Sequence, residues 1–379
     1  MKILHIASEC NGGVLSFIEN LSLNISDDQI TLLTFGSIDK ISELAKNKIK
    51  IIHIPYRIYS IKAFFILFRA INQAEVVHVH LFPMLYICSV LKSFFRGKTF
   101  IYTEHASLNN RRKIKQLRNI ERIIYRNYDK VVGVSESCSE ALRAWIGPMD
   151  NIVTIYNGVD LNLTRQQSLQ NIDFRPYTNY TITMVARLSS DKDFETLLQS
   201  FTLLDNNYHL YLVGEGDLRK TIQDMIIKYE LVDKVSLLGY RSDVPAILRQ
   251  SDLSVLSSYG EGFGLAIIES LAVGTICLGS HVSGIKDILD SEYLFELRDI
   301  IFNMLDNESI NLYQKMIYLI AIGHDIQTLI NLNDFVKIGH YINDLKTKGL
   351  SSVKTKYDNI ATGYSGDVSN IIMAYNELE

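Results

Sequence analysis

With 379 residues, 47% of them hydrophobic, the chain holds material for two domains of roughly 100–200 residues each rather than one. Its net charge of −4 and its lack of a recognised binding motif put nucleic-acid binding behind other functions, and four widely spaced cysteines (Cys10, Cys88, Cys138, Cys277) with no CxxC argue against a disulfide framework or a zinc site. The longest nearly apolar run, 81–91, falls short of the ~20 residues a membrane span needs, and "KILHIAS" follows Met1 without a secretory leader pattern, so the expected location is cytoplasmic with at most peripheral membrane contact.

In chain order, β-rich runs at 2–8, 30–35, 51–55, 76–81, 99–104 and 130–135 alternate with helical patterns such as 14–24 and 61–72. Such alternation predicts a parallel sheet covered by helices on both faces. After the first strand, "ECNGGVLSF" opens a helix, and Gly12 and Gly13 let backbone N–H groups approach a ligand there or simply make a turn. The spacing is not GxGxxG, which counts against a nicotinamide site. Residues 92–130 carry eleven Lys or Arg against three acids, a local charge of +8. Within them Arg111, Lys115, Arg118, Arg122 and Arg126 recur at helical spacing, opposite an apolar stripe of Ile114, Leu117, Ile120, Ile124 and Tyr128. This predicts a basic amphipathic helix, either a solvated helix packed by its apolar face or one drawn to anionic lipid through Arg111, Lys115, Arg118 and Arg122.

The joint between the two series is expected over 157–175, where Asn-Gly and a Pro-containing polar stretch fall. Strand patterns then restart at 181–188, 209–216, 234–240, 252–258 and 275–280, and after Asp299 the periodicity is mostly helical. In open parallel sheets ligands bind beyond the carboxyl ends of strands, so the loops there are the candidates. "ARLSSDKDF" offers Arg187 and Lys192 as a clamp for two linked phosphates, with ordinary surface charge as the other reading. "VGEGD" offers Gly214 and Gly216, for close backbone approach or a tight turn. "SSYGEGFGLAIIES" places Glu261 in a loop and Glu269 within the following helix, whose buried stripe is expected to be Leu265, Ile268 and Leu271. Carboxylates accept several hydrogen bonds from vicinal hydroxyls, and a helix N-terminus suits a diphosphate. One row of strand ends thereby offers the complement of a nucleotide-sugar.

Taken together, "NGG", "TEH", "SES", "YNGVD", "ARLSSDKDF", "VGEGD", "LGYRSDV" and "EGFGLAIIESLAVG", in this order, closely resemble the retaining glycosyltransferases of family 4. The likeness covers nearly the whole chain, weakly over 30–75 and 295–350, and its specific element is the E-x7-E pair with Arg and Lys upstream. The resemblance implies an α/β GT-B fold of two Rossmann-like, doubly wound parallel-sheet domains facing across a cleft. These are an acceptor domain over 1–160, a nucleotide-sugar donor domain over 161–356, and a last segment, 357–379, whose helix returns to the first domain.

It further implies that Arg187 and Lys192 clamp the diphosphate, Glu269 holds the ribose, and Glu261 contacts donor-sugar hydroxyls beside the backbone of Gly262, Phe263, Gly264 and Leu265. Tyr240 and Arg241 would frame the base mainly through backbone, and His105 would reach the reacting sugar or serve as a structural histidine. Gly12, Gly13 and Gly214 complete the donor-binding set. The implied activity is transfer of a hexose or N-acetylhexosamine, from a UDP- rather than a GDP-sugar, to a saccharide acceptor that is expected to be lipid-linked, in bacterial-type surface polysaccharide synthesis. Retaining chemistry in this family is commonly described as front-face attack, with the leaving phosphate taking the acceptor's proton. No cofactor and no metal are expected, with an anionic membrane surface as a possible partner and no nucleic acid. "DKD" at 191–193 has the form of a metal-binding DxD, but its Lys192 is what a phosphate loop needs; His78 and His80 share a strand face without an evident third ligand. Glu261 and Glu269 as a glycoside-hydrolase pair would leave the phosphate clamp without a use. "VSGIKDIL" departs from the family by lacking Pro-Glu, with Asp287 the only nearby substitute. The remaining alternatives are a nucleotide-sugar epimerase of related fold and a non-catalytic nucleotide-sugar-binding protein.

Overall fold

The computed structural model describes residues 1–296 apart from 11, 26–28, 37–40 and 175–179. The helical segments expected after Asp299, including 357–378, lie outside the described residues. The described residues divide into two units, Met1–Gly158 together with Glu261–Phe263, and Val159–Gly260 together with 264–296.

The first unit runs β1 (Lys2–Ala7), α1 (Gly12–Asn24), β2 (Gln29–Thr34), α2 (Glu43–Lys48), β3 (Ile49–His53), α3 (Ile61–Gln73), β4 (Val76–His80), α4 (Met84–Lys92), β5 (Thr99–Glu104), α5 (Leu117–Arg126), β6 (Lys130–Gly133), α6 (Glu136–Ile146) and β7 (Ile152–Thr154). Its seven strands are parallel, in the order β3-β2-β1-β4-β5-β6-β7. Helices on both faces leave such strands buried on both sides, which is why β1 and β4 read as nearly continuous apolar runs. One face carries Leu4, Ile6, Val77, Val79, Phe100 and Tyr102 into one core. The other carries Ile3, Val76 and Ile101 against Phe17 and Ile18 of α1 in a second core. His5, His78 and His80 lie on that second face, because His5 pairs with His78 and Ala7 with His80 in parallel register.

The second unit runs α7 (Leu161–Ser168), β8 (Tyr180–Val185), α8 (Phe194–Phe201), β9 (Tyr208–Val213), α9 (Arg219–Lys228), β10 (Val235–Gly239), α10 (Val244–Arg249), β11 (Leu253–Leu256), α11 (Leu265–Ala272), β12 (Cys277–Ser280) and β13 (Leu294–Phe295). Its parallel order is β10-β9-β8-β11-β12-β13. Both sheets change direction beside their first strand. The switch points therefore fall between β1 and β4 in the first unit and between β8 and β11 in the second, and a ligand of an open α/β sheet is expected at such places.

Two corrections concern helices. The basic segment around α5 buries only part of the apolar stripe its spacing suggests: Tyr128 is buried in the core and Leu117 and Ile124 are partly covered. Within α5 itself the buried residues are Glu121 and Tyr125, while Ile114 just before it and Ile120 and Ile123 within it stay 51%, 52% and 72% exposed. Glu121 is held inside by two hydrogen-bond donors, Tyr86 Oη at 2.5 Å and Trp145 Nε1 at 2.6 Å, and by an ion pair with Arg111 Nη1 at 3.3 Å. A buried carboxylate so satisfied outranks the apolar contacts available to the other face. In α11 the buried side chains are Ile267, Ile268, Ser270 and Ala272, with Leu265 and Leu271 only partly covered.

Candidate functional site

At the second unit's switch point, the loops leaving β8 and β11 are sewn together. Asp193 N donates to Ser257 O (3.0 Å), Tyr259 N to Asp191 O (2.9 Å) and Ser258 Oγ to Asp191 O (3.0 Å), while Lys192 and Ser258 form an antiparallel bridge. Ser258 N in turn donates to Ser280 Oγ at the end of β12 (2.9 Å). The loop carrying Arg187 and Lys192 is thus fixed against the loop that leads to α11.

Both cations meet on one carboxylate. Lys192 Nζ hydrogen-bonds Asp191 Oδ2, and Arg187 Nη2 lies 3.8 Å from Asp191 Oδ1. Burial alone would raise the Asp191 carboxyl, but the Lys192 hydrogen bond and charge hold it below the usual carboxylate range. The Lys192 side chain is 9% exposed and the Arg187 side chain 65%. The inner cation is therefore fixed, and the outer one is accessible. Asp191 is a residue that the sequence reading considered only as half of a metal motif. Its intended partner Asp193 has other duties: it caps α8, accepting from Thr196 N (3.2 Å) and Thr196 Oγ1 (2.8 Å), and also accepts from Tyr259 Oη (3.0 Å). The two acids of "DKD" work in different networks and do not form a shared ligand pair.

The other candidates of this unit sit along the same row of strand ends. Gly214, at φ +144, follows β9, and a Cβ there would stand 1.9 Å from Ala186 O. One at Gly216 would stand 2.3 Å from Leu188 O. These glycines bring the β9 loop against the backbone of the Arg187 loop, with Leu188 N donating to Glu215 O at 3.0 Å. Their close approach is to the chain itself. Tyr240, half-exposed, and Arg241 follow β10, and the Arg241 guanidinium makes two hydrogen bonds to Asp243, at 2.7 and 2.6 Å. Gly264, at φ +97, starts α11, leaving the first-turn N–H groups of Leu265 and Ala266 ahead of the helix. Glu269, half-buried in the middle of α11, has its carboxyl pushed up to about 7 by desolvation.

In the first unit, Gly12 (φ +53) and Gly13 form the exposed start of α1, at the end of β1. Ser8 Oγ donates to Phe82 O (2.9 Å), tying the loops after β1 and β4 together at that switch point. Glu261, Gly262 and Phe263 belong to this unit. Ser107 Oγ donates to Glu261 O (2.6 Å), and Ser135 Oγ and Cys138 Sγ to Gly262 O (2.7 and 3.2 Å). A Cβ at Gly262 would lie 1.9 Å from His105 O, so only glycine fits. Of the E-x7-E pair, then, Glu261 is grouped with the first unit and Glu269 with the second.

His105 follows β5, partly exposed, and Phe17 packs edge-on against it with ring centres 5.2 Å apart. Its Nε2 lies 3.0 Å from His80 Nδ1, and His80 Nε2 lies 3.1 Å from His5 Nδ1. Sequence reasoning missed His5. The signal was available in the strand order, since a switch point between β1 and β4 brings His5 beside His78. The expectation that His78 and His80 have no third ligand nearby is corrected accordingly: potential ligand atoms of His5, His78 and His80 all lie within 4.8 Å of one another. Two of those rings, His5 and His80, are stacked at 18° and joined by the 3.1 Å hydrogen bond. A shared ion would have to replace that bond.

Of the membrane-facing candidates, Lys115, Arg118 and Arg122 are exposed, and Arg118 Nε also donates to Trp145 O (2.5 Å). Arg111 is not at the surface. It is bound to Glu121 and stacked over Phe82 and Tyr86, with its guanidinium carbon 4.9 and 5.6 Å from their ring centres. The buried acid and rings outcompete solvent for it. Among the described residues, no helix is long and apolar enough to cross a membrane.

Comparison with known proteins matches residues 11–163 to "Glycosyltransferase Family 4" and residues 166–298 to "Glycosyl transferases group 1". N-acetyl-alpha-D-glucosaminyl L-malate synthase of Bacillus anthracis is 26% identical over 240 residues, covering 60% of this chain and 63% of that protein. UDP-Gal:alpha-D-GlcNAc-diphosphoundecaprenol alpha-1,3-galactosyltransferase of Escherichia coli is 29% identical over 217 residues, covering 51% of this chain and 53% of that protein. The matches thus span little more than half of these relatives' own length. Among solved structures, Anabaena HepE in complex with UDP and glucose superposes with a TM-score of 0.69 at 17% identity, over 93% of this chain and 100% of that one, a likeness of fold.

Proposed function

Because the chain belongs to the family 4 glycosyltransferases and has the two parallel-sheet domains of the GT-B fold, we propose that it moves a hexose or N-acetylhexosamine from a nucleotide-sugar to a lipid-linked saccharide, with retention of configuration. The observation that carries this reading is the gathering of Arg187 and Lys192 on one carboxylate at the second sheet's switch point. A fixed inner cation and an accessible outer one suit a diphosphate, whose charge grows as the sugar bond breaks. Charge on the leaving group is met by these side chains, so the proposal requires no metal. Glu269 accepts hydroxyls of the ribose, the loop after β10 frames the base, and the start of α11 with Gly264 and Leu265 lies toward the phosphates. Glu261 and His105 act on the sugar, and the departing phosphate takes the acceptor's proton.

A UDP-sugar is the preferred donor in this reading, a choice supported by the UDP held by HepE and by the UDP-Gal in the Escherichia coli relative's name. That relative's diphosphoundecaprenol substrate likewise supports a polyprenyl-diphosphate acceptor and a place in surface polysaccharide synthesis. The surface around α5 favours work at a bilayer on the cytoplasmic face. Exposed Ile114, Ile120 and Ile123 alternate with exposed Lys115, Arg118 and Arg122, an arrangement that inserts apolar side chains while cations meet anionic headgroups.

The test pairs thermal stabilisation by UDP, GDP and their sugars with turnover assays on polyprenyl-diphosphate saccharides. Donor consumption that depends on acceptor, with UDP-sugars, is expected. Neither protection nor turnover with any donor would refute the reading; conversion of donor without acceptor would mark an epimerase, and protection without turnover a sensor.

A further inference from the structure

Four histidines gather at the first unit's switch point, and three of them form a chain of hydrogen bonds: His5 Nδ1 to His80 Nε2 at 3.1 Å, and His80 Nδ1 to His105 Nε2 at 3.0 Å. His5 and His80 have no exposed surface, whereas His105 is partly exposed. His78 stands beside the chain, its Nε2 2.6 Å from Thr103 Oγ1. Phe17 covers the group edge-on, with ring centres 5.9, 5.6 and 5.2 Å from those of His78, His80 and His105. Burial keeps these rings neutral, holding His5 and His105 down to about 3 and His78 and His80 well below the usual histidine range.

A neutral imidazole has one N–H and one bare nitrogen. His80, in the middle, must therefore donate to one neighbour and accept from the other, which leaves only two arrangements. Either every N–H points from His5 toward His105, or every one points back. The inner end decides between them. His5 Nε2 is buried and has no hydrogen-bond partner among the described residues. In the backward arrangement this atom would carry the proton, stranding a donor in the core, and genuinely orphaned buried N–H groups are rarer than under-used acceptors. In the forward arrangement it is a bare lone pair.

We propose that His5 and His80 are positioning residues that hold His105 in the Nδ1–H form, so that His105 offers a neutral hydrogen-bond donor at Nδ1 to an oxygen of the sugar being transferred. Only the last clause rests on the transferase reading; the direction of the chain does not. No proton is lost or gained in this arrangement, so His105 acts as a fixed donor and not as an acid. Its ring is held by His80 and Phe17, and its backbone carbonyl lies against the turn at Gly262.

Long-range 1H–15N spectra of the full chain labelled with 15N-histidine test this without substrate. All three rings are expected as Nδ1–H tautomers at pH 7. An Nε2–H tautomer at any of the three would overturn the proposal, as would Zn2+ or Co2+ added alone binding stoichiometrically and shifting the His5 and His80 signals. A kinetic arm adds two variants. His5→Leu removes the inner donor and should let His80 and His105 populate both tautomers, lowering kcat roughly five- to tenfold with donor KM changed by less than about twofold. His5→Asn, whose side-chain amide can donate to His80, should restore most of kcat. Equal losses in both variants with wild-type tautomers unchanged would mean a merely structural His5 and would also overturn the proposal. If the protein proves not to be a transferase, the spectra still decide the chain's direction.

Discussion

Replacing Glu269 with glutamine sets folding against ligand binding. In the wild-type protein the Glu269 carboxyl is pushed from its ordinary value near 4.5 up to about 7 by burial within α11. At roughly 1.4 kcal/mol per pH unit, holding it ionised costs up to about 3 kcal/mol, and about 1–3 kcal/mol once the partial exposure of the side chain is allowed for. The sign follows from proton uptake. Because the folded state holds this proton more tightly than the unfolded one, the group's cost is absent below pH 4.5, grows through the window up to about 7, and is full above it. Glutamine carries no such cost. Thermal melts of Glu269→Gln should therefore match wild type at pH 4.5 and exceed it at pH 8, by roughly 2–4 °C for each kcal/mol in a unit of this size.

Donor binding should move the other way. Hydroxyls donate to a carboxylate, so wild-type affinity for a UDP-sugar should rise about tenfold from pH 6 to pH 8 as Glu269 ionises. In the glutamine variant it should be flat over that range and, at pH 8, about ten- to a hundredfold weaker. Isothermal titration of UDP-glucose and of the relevant UDP-N-acetylhexosamine measures both. A variant whose melting advantage over wild type is no larger at pH 8 than at pH 4.5, or a wild-type affinity indifferent to pH, would refute the assignment of a desolvated hydroxyl-binding acid.

Lys192→Ala, which removes the inner, fixed cation, should weaken UDP binding about ten- to a hundredfold, and Arg187→Ala, on the exposed side, should weaken it less, a difference read by titration calorimetry. Equal and small effects would mean that the pair serves only Asp191. Gly214→Ala should lower stability by about 2 kcal/mol or more in denaturant unfolding, since the new Cβ would meet Ala186 O at 1.9 Å on a backbone at φ +144. Reversal of Lys115, Arg118 and Arg122 to Glu should strip the protein from vesicles containing phosphatidylglycerol while leaving its melting temperature within about 2 °C. Arg111→Ala should do the opposite, costing about 3–5 kcal/mol in stability by leaving Glu121 buried without its cation.

What the sequence made legible and what it hid follow one physical line. Strand runs such as "VVHVH" and "TFIYTE" announce a parallel sheet because burial on both faces favours runs rich in apolar and β-branched residues without strict polar alternation, and that preference is local. The strands Ile152–Thr154 and Leu294–Phe295 are too short to make such a preference visible. Side chains whose neighbours come from another strand or loop were hidden for a different reason. His5 gains its meaning from register with His78, Asp191 from the two cations that fold onto it, and Glu121 from Tyr86 and Trp145, which lie 35 and 24 residues away in the chain. In α5 this concealment overturns part of the reading. A helical wheel assumes that apolar residues turn inward, yet a carboxylate with two hydrogen-bond donors and a cation waiting in the core took part of the inner face and left Ile120 and Ile123 outside, while Ile124 packs on the core. Under the proposed function the exposed residues enter a bilayer together, where Ile114, Ile120 and Ile123 leave water and Lys115, Arg118 and Arg122 stay at the headgroups.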